Sequence, residues 1–256
     1  MNIQFKAKNL AKKIYELIEA NAFDNDSFKA VHAPIDFGDN GMQYISNCLA
    51  STWVSTSGNY VNQFALKLSE YIGSKYIVPV SSGTAALKLA LIAMNVSNGD
   101  EVIVPSFTFV ASANSVSHIG AIPHFVDIES KTLGIDPVKL EKYLSKKVLF
   151  KNNKTINRDT GANISALIAV HVYGNSCNIL EISRICKKFN IKLLEDCAGA
   201  LGTFTKTNKG LRHVGRIGEA GCLSFNGNKI ITTGGGGAVF TDSEKIYSKI
   251  LHLSTT

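Results

Sequence analysis

The 256-residue sequence contains no apolar run of about 18 residues, the length a membrane-spanning helix requires, so no membrane span is expected. The lysines between Met1 and Lys13 lead into no apolar core of the signal-peptide kind, so secretion is not expected either. Cysteine is scarce and irregular. Cys48, Cys177, Cys186, Cys197 and Cys222 are an odd number at wide spacings, with no Cys-x-x-Cys pair. That pattern argues against a disulfide framework and against a zinc site, and suits a reduced cytosol; no metal is expected. Basic runs are missing as well. The 27 Lys and Arg against 20 Asp and Glu give a formal charge of +7. Those cations are scattered, with no arginine cluster, whereas nucleic-acid recognition needs a concentrated basic face. Internal repeats and low-complexity tracts are absent. Charged residues are only 18% and apolar residues 45%, which excludes intrinsic disorder.

A chain of this length can bury a large core as one α/β domain or two small ones. Leu10, Ile14, Leu17 and Ile18 fall at helical spacing and predict an amphipathic helix over the first 20 residues. Polar residues 21–40 read as a loop. Helices are predicted over 41–52 and 61–72, the second stopping before Gly73. Strands and helices then alternate. Apolar strands are predicted at 76–80, 101–104, 122–127, 166–170, 191–194, 222–225 and 238–240. Helices are predicted at 84–95, 107–119, 136–145 with Pro137 in the first turn, 180–189 and 243–253. Residues 146–164, rich in Lys and Asn, read as a surface excursion. About seven short apolar strands, most of them separated by helices, imply a mostly parallel sheet covered on both faces.

Ligands of open α/β sheets bind beyond the carboxyl ends of the strands. Three features sit at such ends. Ser82-Gly83-Thr84-Ala85 joins a strand to a helix. Small residues and a helix N-terminus can hold an anion there, and the same residues suit a plain turn with a Ser or Thr cap. Glu195-Asp196 follows a strand directly, where a carboxylate can hold a cation or orient a protonated ring nitrogen, or simply cap a helix or face solvent. Ser224-Phe225-Asn226-Gly227-Asn228-Lys229, ahead of Gly234 to Gly237, places a lysine on a loop. Such an amine can form a Schiff base when partly desolvated, or be one more surface lysine. The glycine run matches neither a Walker A motif nor a Rossmann fingerprint. An anion cradle, a strand-end Asp and a loop Lys are together the parts that pyridoxal 5'-phosphate (PLP) requires.

From about Thr52 to Thr256 the sequence resembles the DegT/DnrJ/EryC1/StrS sugar aminotransferases. The resemblance rests on residues 82–87 (Ser-Gly-Thr-Ala-Ala-Leu), Gly99-Asp100-Glu101-Val102, 105–109 (Pro-Ser-Phe-Thr-Phe), Gly120-Ala121, Phe125-Val126-Asp127, His171-Val172-Tyr173-Gly174, Glu195-Asp196 and 224–229. It implies an α/β fold, the fold-type I large domain with its mostly parallel seven-stranded sheet between helices. Residues 1–40 would be an N-terminal helix and loop and 41–256 the PLP-binding large domain. The family's smaller C-terminal domain would be absent. Position by position, the resemblance makes Lys229 the Schiff-base lysine and proton shuttle, and Asp196 the partner of the pyridine nitrogen. Phe109 would stack on the ring, for which core packing is the rival reading. Thr84, Ala85 and Ser224 would bind the phosphate, with Gly83 shaping the turn.

Residues 225–237, Ile156-Asn157-Arg158 and 252–256 look most like the legionaminic acid and bacillosamine branch. That likeness implies transfer of an amino group, typically from glutamate, to C4 of a UDP-linked 4-keto-6-deoxy-N-acetylhexosamine. A cytoplasmic homodimer is implied with it. Lys229 speaks against the related dehydratases, which carry His there. Gly199 and Asn178 depart from the family pattern, in which His, Gln or Glu and Asp often stand. The shortness of the chain and Gly199 make a non-catalytic PLP-binding remnant the alternative.

Overall fold

The computed structural model describes residues 12, 13 and 38–255. Contacts divide the chain into two compact units, Met1–Asp36 and Phe37–Thr256, and the sheet described next belongs to the second. The helix expected over the first 20 residues lies outside the described residues except at Lys12 and Lys13, which are helical.

The elements in order are α1 (Gly41–Ser51), α2 (Asn59–Ile72), β1 (Tyr76–Val80), α3 (Gly83–Ala93), β2 (Glu101–Pro105), α4 (Val110–Ser117) and β3 (Ile122–Val126). There follow α5 (Pro137–Lys147), β4 (Val148–Lys151), β5 (Lys154–Asn157), β6 (Ile164–Val170), α6 (Ile179–Lys188) and β7 (Lys192–Asp196). The last are β8 (Phe204–Thr207), β9 (Gly210–His213), β10 (Ala220–Ser224), β11 (Gly237–Thr241) and α7 (Glu244–Thr255). Seven strands form the main sheet in the order β1-β11-β10-β7-β6-β2-β3. Strand β11 runs antiparallel to both neighbours, and the other pairs are parallel.

The strands read as continuous apolar runs because both faces are covered, and the two-residue period sends alternate side chains to different cores. Val102, Val104, Ala166, Ile168, Cys222 and Val239 face α3 and α7 in one cluster. Ile103, Leu167, Ala169 and Leu193 face α5 and α6 in a second. Leu223, Phe225, Ala238 and Phe240 meet Leu68 and Ile72 of α2 in a third.

Three expectations are corrected. Residues 146–164 are not a loose excursion: β4 and β5 form an antiparallel hairpin. Its turn residues Asn152 and Asn153 both have positive φ, 51° and 59°, the backbone a two-residue hairpin needs. Thr155 and Asn157 are buried; the Thr155 hydroxyl donates to the Phe189 carbonyl and Asn157 to Glu101. A second hairpin, β8 with β9, lies in a stretch where no strand was expected. The helix expected from Phe107 begins instead at Val110, with Phe109 in extended conformation at its N-cap.

Candidate active site

Because six strands of the sheet run the same way, their carboxyl ends share one edge. Asp196 ends β7 and Ser224 ends β10, while β1 and β2 lead into the segments carrying Ser82 and Phe109. Neighbouring side chains on a strand point to opposite faces, and this separates the two acids at the end of β7. Glu195 is fully buried. Its carboxylate accepts from His171 Nε2 at 3.0 Å and from the amides of Gly215, Ile217 and Gly218, each at 2.7 Å. His171 Nδ1 accepts the Cys177 amide at 3.3 Å, so the ring proton sits on Nε2 and faces Glu195. Burial alone would push the Glu195 carboxyl up. The His171 bond and the Gly218 and Gly215 amides outweigh that and hold it below the usual carboxylate range. Glu195 is therefore a clamp on the loop after β9.

Asp196 is the acid on the other face. Its Oδ2 accepts from Ser112 of α4 at 2.8 Å and its Oδ1 from the Ala198 amide at 3.1 Å. Its carbonyl accepts the His171 amide at 3.1 Å, tying the ends of β6 and β7 together. The two side-chain bonds leave the carboxylate with acceptor capacity for a further donor.

The start of α3 is built for close approach. Ser82 is its N-cap, and Ser82 Oγ accepts the Ala85 amide at 3.1 Å. Ala85 thus gives its amide to the cap, and Gly83 and Thr84 lie ahead of it in the first helical turn. A Cβ on Gly83 would stand 2.8 Å from Ser224 Cβ, so glycine is what lets the helix start and the end of β10 touch. A Cβ on Gly237 would stand 2.4 Å from the Ser82 carbonyl, so the glycine run packs on the same turn. First-turn amides and two hydroxyl side chains side by side can receive an anion.

Lys229 lies half-buried in the loop leaving β10. Its amide donates to the Asn226 carbonyl, while Thr233 N and Thr232 Oγ1 return to the Phe225 carbonyl. Lys229 Nζ makes no hydrogen bond or ion pair among the described residues. Phe109 is 75% exposed, which rules out core packing and leaves a ring face open at this edge. Tyr173, with φ 52°, meets Phe107 edge-on at 6.4 Å. A Cβ on Gly199 would meet nothing within 4 Å, so the departure there leaves open space. Asn178 is the N-cap of α6. Ser112 and Thr108 are the contributors that sequence reasoning passed over; their i, i+4 spacing was the available signal. Among the described residues no group of three or more His, Cys, Asp or Glu is placed to hold a metal ion. A cavity of about 350 Å³ lined by Ser74, Arg212, Arg216 and Asp242 lies by the far end of β11, at the opposite edge.

A model of the DegT/DnrJ/EryC1/StrS aminotransferase family matches residues 36–256. The chain belongs to this family. The GDP-perosamine synthase of Escherichia coli O157:H7 is 39% identical over 210 residues, covering 82% of this chain and 52% of that protein. An aminotransferase from Psychrobacter cryohalolentis superimposes with a TM-score of 0.72 at 34% identity, over 86% of this chain and 51% of that one. NtdA from Bacillus subtilis, solved with bound cofactor PMP, superimposes with a TM-score of 0.69 at 28% identity, over 91% of this chain and 50% of that one. The chain spans about half the length of the curated relatives it matches. The aminotransferase fold expected from the sequence is therefore present in this member of the family.

Proposed function

We propose that residues 41–256 form the PLP-binding large domain of an aminotransferase that passes an amino group from an amino acid, glutamate, to a keto carbon of a nucleotide-linked sugar. The observation that carries this reading is Asp196. It is a buried strand-end carboxylate with two donors already in place, on the same edge as the α3 N-terminus, Ser224 and Lys229. NtdA holding PMP, the amine form of the cofactor, supports the choice of group.

The donor set fits PLP. Gly83, Thr84 and Ser224 would hold its phosphate, with Ala85 fixing the turn through Ser82. Asp196 would accept from the protonated pyridine nitrogen, and the exposed Phe109 would cover one ring face. PLP supplies an aldehyde for covalent attachment and an electron sink for the substrate's developing negative charge. Lys229 Nζ would be the group that holds the aldehyde, and as a free amine it would take the proton from the donor's Cα in the first half of the reaction and deliver one to the keto carbon of the sugar in the second. Phe107 and Tyr173, which meet edge-on, and Phe109 are exposed apolar rings that would shield that side from water once a cofactor ring is seated.

The finer reading places the transfer at C4 of a UDP-linked 4-keto-6-deoxy-N-acetylhexosamine. The perosamine synthase among the relatives is named for a GDP-linked product, so the nucleotide is tested directly by offering UDP- and GDP-linked keto sugars side by side. A cytoplasmic homodimer belongs to the same reading, and sedimentation of the purified chain measures its oligomeric state.

The deciding experiment adds PLP to the purified chain, reduces with borohydride and maps the labelled peptide. Label at Lys229 is expected, and Lys229→Ala should lose it together with transamination. Label elsewhere, or turnover retained in Lys229→Ala, overturns the assignment. Reversible PLP binding without turnover is the outcome that favours a non-catalytic remnant.

A further inference from the structure

Ser112 is completely buried in α4 and has one hydroxyl proton. Serines inside helices usually spend that proton on their own helix's carbonyls, as Ser115 does on the Ser112 carbonyl at 2.8 Å. Ser112 instead donates to Asp196 Oδ2, 84 residues along the chain. Its oxygen also lies 2.7 Å from Thr108 Oγ1. With the Ser112 proton committed to Asp196, Thr108 must be the donor in that second bond. The order is Thr108 to Ser112 to Asp196, ending on one carboxylate oxygen, while the Ala198 amide holds the other. Two donors from different elements, one on each oxygen, fix the plane of the carboxylate.

We infer that Ser112, backed by Thr108, is a positioning residue that sets the orientation in which Asp196 meets the cofactor's ring nitrogen. The inference rests on the PLP reading above. It assigns a role to α4, whose first turn follows Phe109, so one short segment presents the ring-stacking residue and aligns the ring's hydrogen-bond partner. A serine that merely satisfied a buried carboxylate would affect folding and leave the bound cofactor unchanged.

The test is a double-mutant cycle on the full chain with PLP as the probe. Ser112→Ala, Ser112→Thr, Asp196→Asn and the Ser112→Ala/Asp196→Asn double variant are compared. The readouts are PLP affinity by titration, the visible absorbance of the bound cofactor against pH, and the melting of the PLP-free chain. Ser112→Ala should weaken PLP binding about tenfold, the scale of a hydrogen bond to a charged group, and shift the pH profile of the absorbance. Ser112→Thr should restore both. In the Asp196→Asn background the Ser112→Ala effect should shrink to less than about twofold, because coupled sites are not additive. An equal loss in both backgrounds, or a lower melting point with unchanged affinity and spectrum, overturns the inference. If Asp196→Asn itself changes neither affinity nor spectrum, the reading of Asp196 fails, and that result is distinct from a silent Ser112→Ala beside a damaging Asp196→Asn. Should Ser112→Ala fail to fold, Thr108→Val answers instead. A weaker change in the same direction supports the relay, and no change overturns it.

Discussion

Adjacent acids at the end of β7 do different work because a strand sends them to opposite faces. Removing Glu195 should leave His171 and three amides buried without their partner. Glu195→Ala is expected to cost about 3 kcal/mol or more, read by denaturant unfolding at neutral pH. The acid side carries a sign. The folded carboxyl lies below its ordinary value, so its contribution is complete above about pH 4.3 and is lost as pH falls through the lower folded pKa. Glu195→Gln should therefore flatten the loss of stability as pH falls below about 4.3. The thiols make a second test at this scale. Burial pushes the Cys197 thiol up to about 12 and also raises Cys186 and Cys222. Cys177 is buried too, whereas Cys48 is half-buried. A thiol reagent should label Cys48 in the native chain and reach the other four only on unfolding.

Helix ends and hairpin turns set the next scale. Asp136 Oδ1 accepts the Val138 and Lys139 amides, each at 3.0 Å, with Pro137 at the first helical position. Asp136→Ala should cost about 1 kcal/mol by urea unfolding. This cap was legible, because Asp followed by Pro ahead of Leu140 and Leu144 is a local signal. The β4–β5 hairpin was not. Its strands are short and mixed, and the Asn152-Asn153 turn reads as ordinary polar sequence until the paired positive φ values are seen. What holds the hairpin is distant: Asn157 donates to Glu101 at 2.9 Å, and Thr160 to the same carboxylate at 2.5 Å. Asn157→Ala should cost about 1–3 kcal/mol, since it strips a donor from the buried Glu101. A negligible change would show that the hairpin contributes little to the fold.

Across the whole molecule, the candidate site is a meeting of elements far apart in sequence. The α3 start touches the end of β10 only because Gly83 carries no Cβ, and it touches the start of β11 only because Gly237 carries none. Gly83→Ala should force the helix start off Ser224 and cost about 1–3 kcal/mol, with weaker PLP binding in the same titration. Bound PLP should in turn stabilise the folded chain, by about 2.7 kcal/mol at a hundred times its Kd, visible as a concentration-dependent rise in Tm.

Local pattern located every strand of the main sheet to within about two residues at each end, since short apolar runs bounded by turns have few other ways to bury themselves. It also placed Gly83, Thr84, Ser224, Asp196 and Lys229 at element ends, which is where α/β sheets bind ligands. Tertiary structure alone decided that Glu195 turns onto the loop after β9, that β11 runs against its neighbours, and that Ser112 reaches Asp196. Each of these depends on the register of one element against another, and register is set by packing between segments as far apart in the chain as Tyr76 and Thr241.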